Sequence, residues 1–231
     1  MTRQDRFASV LAAALTCAAG VALAEPSSLV AWDAQTVKLL QSADAQAGSE
    51  NADENGCARC HGEQGVSDRP GTPHIAGLGK EYLYKQLRDY RDGTRDNRRM
   101  ARYVEDLSDQ QLADLSAWYS GLAGPTLQPT PAAAGTAQEL VSRGDAGRLI
   151  PACGACHGSA GEGSRIGVPA LAGQELDYLI ETMTAYQEEE RANDVYSVMR
   201  YISSELSEAE IEALAAYYSG LAAYPEAEQA Q

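Results

Sequence analysis

The 231-residue chain carries 18 Lys and Arg against 33 Asp and Glu, a formal net charge of −15. So acidic a chain repels phosphate backbones, which excludes nucleic acid as a partner and favours a basic protein surface. The roughly 207 residues counted from Glu25 suit two small domains better than one.

Residues 1–24 have the three parts of a secretory signal: Arg3 and Arg6, an apolar run from Phe7 to Val21, and the small-x-small site Ala22-Leu23-Ala24. Acylation at Cys17 would need a different approach sequence, because bulky Leu15 and Thr16 precede it. The mature chain is thus expected to begin at Glu25, keeping 16 basic and 32 acidic residues, a net of −16. No later stretch is long and apolar enough to span a bilayer. A periplasmic protein without a transmembrane segment is predicted, peripheral membrane association being compatible with this reading. Residues 25–43, including Trp32, form an N-terminal extension.

Cys57-Ala58-Arg59-Cys60-His61 and Cys153-Gly154-Ala155-Cys156-His157 repeat one Cys-x-x-Cys-His pattern 96 residues apart. Each reads as a c-type haem attachment site, with two thiols to bond one porphyrin edge and an adjacent imidazole to reach the iron from below. A thioredoxin-like dithiol or half of a zinc site are the rival readings of a single copy. Two copies in matching surroundings favour haem. These motifs use every cysteine of the mature chain, so thioether links rather than disulfides would staple the exported fold.

The match extends beyond the motifs. At an offset of 96, Pro73 meets Pro169, Ala76-Gly77 meets Ala172-Gly173, Tyr82 meets Tyr178, Tyr90 meets Tyr186, and Arg95 and Asn97 meet Arg191 and Asn193. Three residues then enter the second copy, and an offset of 99 pairs Met100 with Met199, Leu107-Ser108 with Leu206-Ser207, and Gly121-Leu122 with Gly220-Leu221. Such an ordered series is an internal duplication. It sets a first domain over 44–124, a Pro/Ala-rich linker over 125–139, a second domain over 140–224 and an acidic tail over 225–231.

Helices are expected from Lys80 to Arg91 and from Glu175 to Glu188. Ser108-x-x-Gln111 and Ser207-x-x-Glu210 are capping boxes. Leu112, Leu115, Trp118/Tyr119 and Leu122 follow the first with helical spacing, as Ile211, Leu214, Tyr217/Tyr218 and Leu221 follow the second. No period-two alternation marks a strand, so the fold is predicted to be all-α.

These residues resemble class I cytochrome c domains, over about residues 44–124 and 140–222, and the tandem arrangement resembles the dihaem cytochrome c4 family. The second half is nearer the family pattern. In the first, Leu78 replaces the usual Gln and His74 occupies a variable slot; residues 25–43 have no counterpart in the pattern. The resemblance implies two tandem class I cytochrome c domains with two covalently bound haem c groups, held by Cys57, Cys60, Cys153 and Cys156. His61 and His157 would be proximal iron ligands. With His74 the sole remaining histidine, bis-His ligation of both haems is excluded. Met100 and Met199, in matching positions, are the natural distal ligands, a thioether raising the potential. Met183, whose repeat partner is Leu87, reads as packing. Pro73 and Pro169 are implied to accept the proximal Nδ1–H through their carbonyls. Arg95 and Arg191 would pair with haem propionates, unless they are simply solvated. His74 reads as a surface or haem-rim residue.

The function implied is an electron-transfer protein, not an enzyme: a periplasmic dihaem shuttle between redox proteins. Its donor would be of the type of a quinol-oxidising complex and its acceptor a terminal oxidase of a respiratory chain. The alternative is the dihaem subunit of a dehydrogenase complex such as flavocytochrome c sulfide dehydrogenase. A haem enzyme needs an open iron or an unusual ligand such as a free Cys, and no cysteine is spare. Residues 48–124 carry 10 basic and 13 acidic side chains, residues 140–231 only 5 against 15. The C-terminal domain is therefore expected to dock first on a basic partner, while the Arg-rich run 88–102 faces the other domain, a different partner or solvent.

Overall fold

The computed structural model describes residues 32–125, 135–164 and 167–221. The signal segment, the acidic tail and most of the linker lie outside these. Eleven α-helices form among the described residues. They are α1 (Ala34–Gln41), α2 (Ala45–Glu54), α3 (Ala58–His61), α4 (Lys80–Arg91), α5 (Arg98–Val104) and α6 (Asp109–Ser120), then α7 (Thr136–Ser142), α8 (Gly154–His157), α9 (Leu176–Gln187), α10 (Val198–Ser204) and α11 (Glu208–Ser219). There is no strand in that range, only an isolated bridge between Asp145 and Ile150, and the fold is all-α. No described helix is long and apolar enough to cross a membrane.

Each domain is organised on its last helix. Ser108 and Ser207 accept from the backbone N–H of Gln111 and Glu210, and those side chains return the bond to the cap nitrogens, closing both capping boxes. Helical spacing then puts Leu112, Leu115 and Tyr119 into one core and Ile211, Leu214 and Tyr218 into the other. Full burial of one such aliphatic side chain stabilises by about 1.5–3 kcal/mol. Against α6 pack α2 and α4, and against α11 pack α7 and α9. Gly48 lets α2 cross α6 closely: a Cβ there would sit 2.0 Å from the Asp114 carbonyl oxygen.

Two sequence boundaries shift. Helix α7 begins at Thr136, inside the stretch assigned to the linker, because Ala137, Leu140 and Val141 give it a buried face. The extension is partly structured. Asp33 caps α1, Leu40 enters the first core, and Lys80 Nζ donates to the Leu40 carbonyl at 2.7 Å. Trp32 reaches the second domain, where a Cβ on Gly167 would lie 2.3 Å from its ring.

Candidate functional site

Each Cys-x-x-Cys-His run folds as one short helical turn. The His61 N–H donates to the Cys57 carbonyl at 3.1 Å and that of His157 to Cys153 at 3.0 Å. Residues i, i+3 and i+4 share a helix face, so both cysteines and the histidine of each motif are brought to one side. The chain then reverses at Gly62, φ 77°, where a Cβ would meet the Val66 carbonyl oxygen at 2.1 Å.

The two imidazoles are fixed alike. His61 Nδ1 lies 3.0 Å from the Pro73 carbonyl oxygen and His157 Nδ1 lies 2.9 Å from that of Pro169. A carbonyl only accepts, so Nδ1 carries the proton and Nε2 is left with a lone pair. Burial holds both rings below the usual histidine range, keeping them neutral. Among the described residues neither Nε2 has a hydrogen-bond partner.

The thiols do not suit a dithiol oxidoreductase. Burial pushes Cys57 and Cys153 up from the ordinary thiol value, whereas dithiol redox chemistry needs a lowered one. All four cysteines are free. Among the described residues no three or more His, Cys, Asp or Glu side chains converge as a metal-ion site. The Tyr119 hydroxyl shares a hydrogen bond with the Cys57 thiol. Its repeat partner Tyr218 has a buried hydroxyl with no partner, an orphan group beside Cys153.

Met100 stands in the first turn of α5, half-buried against the first core, where Asn97 Oδ1 accepts its N–H at 3.0 Å. Met199 occupies the corresponding first turn of α10, also half-buried. Met183 instead packs on the second core, its sulfur accepting from the Ser203 hydroxyl at 4.0 Å.

Arg95 and Arg191 are not solvated. They lie buried where the two domains meet, in a near-symmetric arrangement. Arg95 stacks 4.6 Å from the centre of the Tyr90 ring and donates to the Tyr178 hydroxyl across the interface at 3.1 Å. Arg191 stacks 4.5 Å from that of Tyr186 and donates to the Tyr82 hydroxyl at 3.5 Å. Gln86 Oε1 accepts from Arg95, Arg191 and Asn193 together. Lys85 pairs with Asp89, which also accepts from Asn193, and Lys85 donates onward to the Asn193 carbonyl. This buried cluster holds three cations and a single carboxylate. Although burial disfavours phenolate, the guanidinium groups of Arg95 and Arg191 draw the Tyr178 phenol down to about 7.

His74 is corrected more fully. It is buried rather than a surface residue: its backbone exchanges bonds with the Gln174 amide, N–H to Oε1 at 2.8 Å and carbonyl from Nε2 at 2.9 Å. Its Nδ1 accepts from the Ser67 N–H at 3.0 Å. The surface alternative fails because Gln174, the partner that covers it, lies 100 positions away in the chain. Lys85, Gln86 and Asp89 also escaped the sequence reading. They share a helix face with Tyr82, but three polar side chains leave no apolar periodicity to mark that face as buried.

The donor sets fit haem c: paired thiols beside an oriented imidazole in each domain, an orphan hydroxyl at one of them, and surplus cations between them that carboxylates would offset. The fold and sites together define a tandem c-type cytochrome. The family model described as cytochrome c matches residues 45–123 and again 145–222. A cytochrome c4 of Stutzerimonas stutzeri is 36% identical over 176 residues, covering 71% of this chain and 84% of its own. A thiosulfate dehydrogenase electron acceptor of strain A1501 of that species is 34% identical, covering 78% and 88%. The crystal structure of reduced recombinant cytochrome c4 from Pseudomonas stutzeri superposes with a TM-score of 0.73 at 35% identity, covering 78% of this chain and all of that one.

The chain belongs to the cytochrome c4 family. It is a dihaem electron-transfer protein with two covalently bound haem c groups.

Proposed function

We propose that Cys57 and Cys60, and likewise Cys153 and Cys156, would hold the two haems by thioether bonds, with His61 and Met100 holding the iron in the first domain and His157 and Met199 in the second. The observation that carries this reading is the matched pair of histidine–proline bonds, each of which fixes a tautomer and aims Nε2 away from the protein hydrogen-bond network. The haem supplies a one-electron ferric/ferrous couple. The chain's own residues do the rest. Pro73 and Pro169 orient the imidazoles and raise their basicity. Met100 and Met199 would each supply a thioether to the iron, leaving no vacancy for substrate, so that electrons alone would enter and leave. Arg95 and Arg191 offset haem carboxylates at the domain interface.

On this reading the chain is exported to the periplasm by residues 1–24 and shuttles electrons from a quinol-oxidising complex to a terminal oxidase. A second reading, a dehydrogenase as the donor, draws support from the relative named a thiosulfate dehydrogenase electron acceptor. Spectroscopy of the purified exported protein tests the ligation: a pyridine haemochrome assay should count two covalent haems, and the ferric form should show the methionine-to-iron charge-transfer band. A colourless protein, or a resting form that binds carbon monoxide, would sink it. Reduction rates with a purified thiosulfate dehydrogenase and with a quinol-oxidising complex then separate the two donors.

A further inference from the structure

The second domain exposes a group of large apolar side chains beside Met199. Leu149 is 73% exposed, Tyr196 72%, Val198 47% and Tyr201 44%. Val198 and Tyr201 are three apart on α10 and share a face. The Tyr201 hydroxyl donates to the Arg148 carbonyl at 3.1 Å, which ties that face to Leu149. Backbone strain concentrates at the same place. Leu149, Tyr196 and Ser197 have φ of 56°, 57° and 57°, three of the four non-glycine residues with positive φ among those described. A bulky residue adopts that region only when its surroundings impose it, and such strain gathers at functional surfaces.

The duplication supplies an internal control. At the repeat offsets Leu149 stands against Asp53, Ser197 against Arg98, Val198 against Arg99 and Tyr201 against Arg102, while Tyr196 lies in the segment where the second copy gains three residues. All four first-domain counterparts are charged and exposed. Around the methionine, Val198 and Tyr201 replace Arg99 and Arg102, with Arg200 the one added cation, so exposed apolar side chains here are not a requirement of the fold.

We infer that Leu149, Tyr196, Val198 and Tyr201 form the docking face through which the second domain exchanges electrons with a redox protein whose own contact site is apolar and ringed by Lys and Arg. This rests on the carrier reading above. Charge complementarity selects the occupant. The described residues of the second domain expose nine carboxylates, those of Glu139, Glu162, Asp177, Glu181, Glu188, Glu189, Glu190, Glu208 and Glu212, and a single exposed cation, Arg143. The two cations nearest the patch are already paired, Arg148 with Asp145 and Glu210, and Arg200 with Asp194. A second copy meeting this domain through the same face, or an anionic lipid surface, would bring like charges together, and the exposed arginines of the first domain carry no apolar centre; a basic rim around an apolar centre meets both features.

The test uses the haem-loaded full chain, reduced and mixed in stopped flow with a ferric monohaem cytochrome c whose haem edge is ringed by lysines. Tyr196→Ser with Val198→Ser should slow the bimolecular step by about tenfold, the loss typical of truncating central interface residues. Leu149→Gly should slow it as well while raising Tm, since glycine relieves the positive φ. Arg98→Gln with Arg99→Gln should leave the rate within about twofold. Native haem spectra with unchanged rates in the Tyr196/Val198 variant would overturn the docking face alone, and a chain with no reducible haem would overturn the carrier reading and the docking face with it. Loss of a dimer in that variant, seen by light scattering, would assign the patch to a second copy instead. Patch substitutions silent in the full chain, together with a faster reaction on removing residues 225–231, would assign it to the tail. Either result overturns the proposal.

Discussion

The two domains hold their histidines almost identically, at 3.0 and 2.9 Å from a proline carbonyl, yet they reach the first cysteine by different routes. In the first domain α2 runs ten residues, with Gly48 pressed against α6. In the second, α7 stops after seven, and Gly144, the repeat partner of Gly48, takes φ 71° and turns the chain into the Asp145–Ile150 bridge. One glycine thus serves a helix crossing in one copy and a helix stop in the other. Duplication has kept the bonds that aim the imidazoles and released the segments that face outward.

That comparison breaks hardest at the interface, where the contributions are unequal. The first domain supplies Lys85, Gln86 and Asp89, whose repeat counterparts are Glu181, Thr182 and Ala185. Asp89→Asn should leave the buried Lys85 ammonium without its carboxylate and cost about 3–5 kcal/mol. Calorimetry should then resolve two transitions in place of one. Lys85→Met with Asp89→Leu should recover most of the loss, because the charge and its partner leave together. If Asp89→Asn is silent, the two domains do not depend on this pair.

Next come the methionines. Met100→Ala and Met199→Ala should each lower the potential of one haem by on the order of 0.1 V and open that iron to carbon monoxide. Of these two, Met100 is the one that packs on its domain's main core cluster. Its removal should therefore also cost about 2 kcal/mol of stability, the lower end for a large-to-small change. Equal destabilisation by both substitutions would erase this difference between the domains.

Acid separates the domains more gently. Arg148 grips Glu210 through two bonds, at 2.9 and 2.8 Å, and holds its carboxyl down at about 2. A carboxylate whose folded pKa is depressed gives stability that is full above its unfolded value and is lost as pH falls through the folded one. The second domain should accordingly lose stability between about pH 4.5 and 2. The first has Gln111 at the matching position, which does not titrate. Glu210→Gln should lower the Tm of the second domain by a few degrees at pH 6 and flatten that acid slope.

How far the sequence reached depends on the range of the contact. The Cys-x-x-Cys-His turns, the capping boxes and the helix from Lys80 to Arg91 are local, and a short stretch of chain contains both partners. The interface is different in kind. His74 with Gln174, Lys85 with Asn193 and Trp32 with Gly167 are joined only after two domains fold and meet. Polar residues on a helix read as solvated until a second surface covers them. The expected alternatives for Arg95 and Arg191, a haem carboxylate or solvent, did not include the opposite domain, because a guanidinium at a domain boundary leaves no periodic trace.

The smallest effect expected is a difference near zero. Ser108 and Ser207 each accept from the third residue of their helices at 3.3 Å, and each helix returns a side-chain bond to the cap nitrogen, at 3.0 and 2.9 Å. Replacing either serine by alanine should cost about 1 kcal/mol. The two costs should agree, since the helices they start carry the core of each domain in the same way. The measurement is chemical denaturation of the two single variants, with visible absorbance reporting the haem pocket and far-ultraviolet dichroism the helices. Unequal costs would show that the last helices are not equivalent supports. The divergence between the copies would then extend from their surfaces into the scaffold that places the histidines.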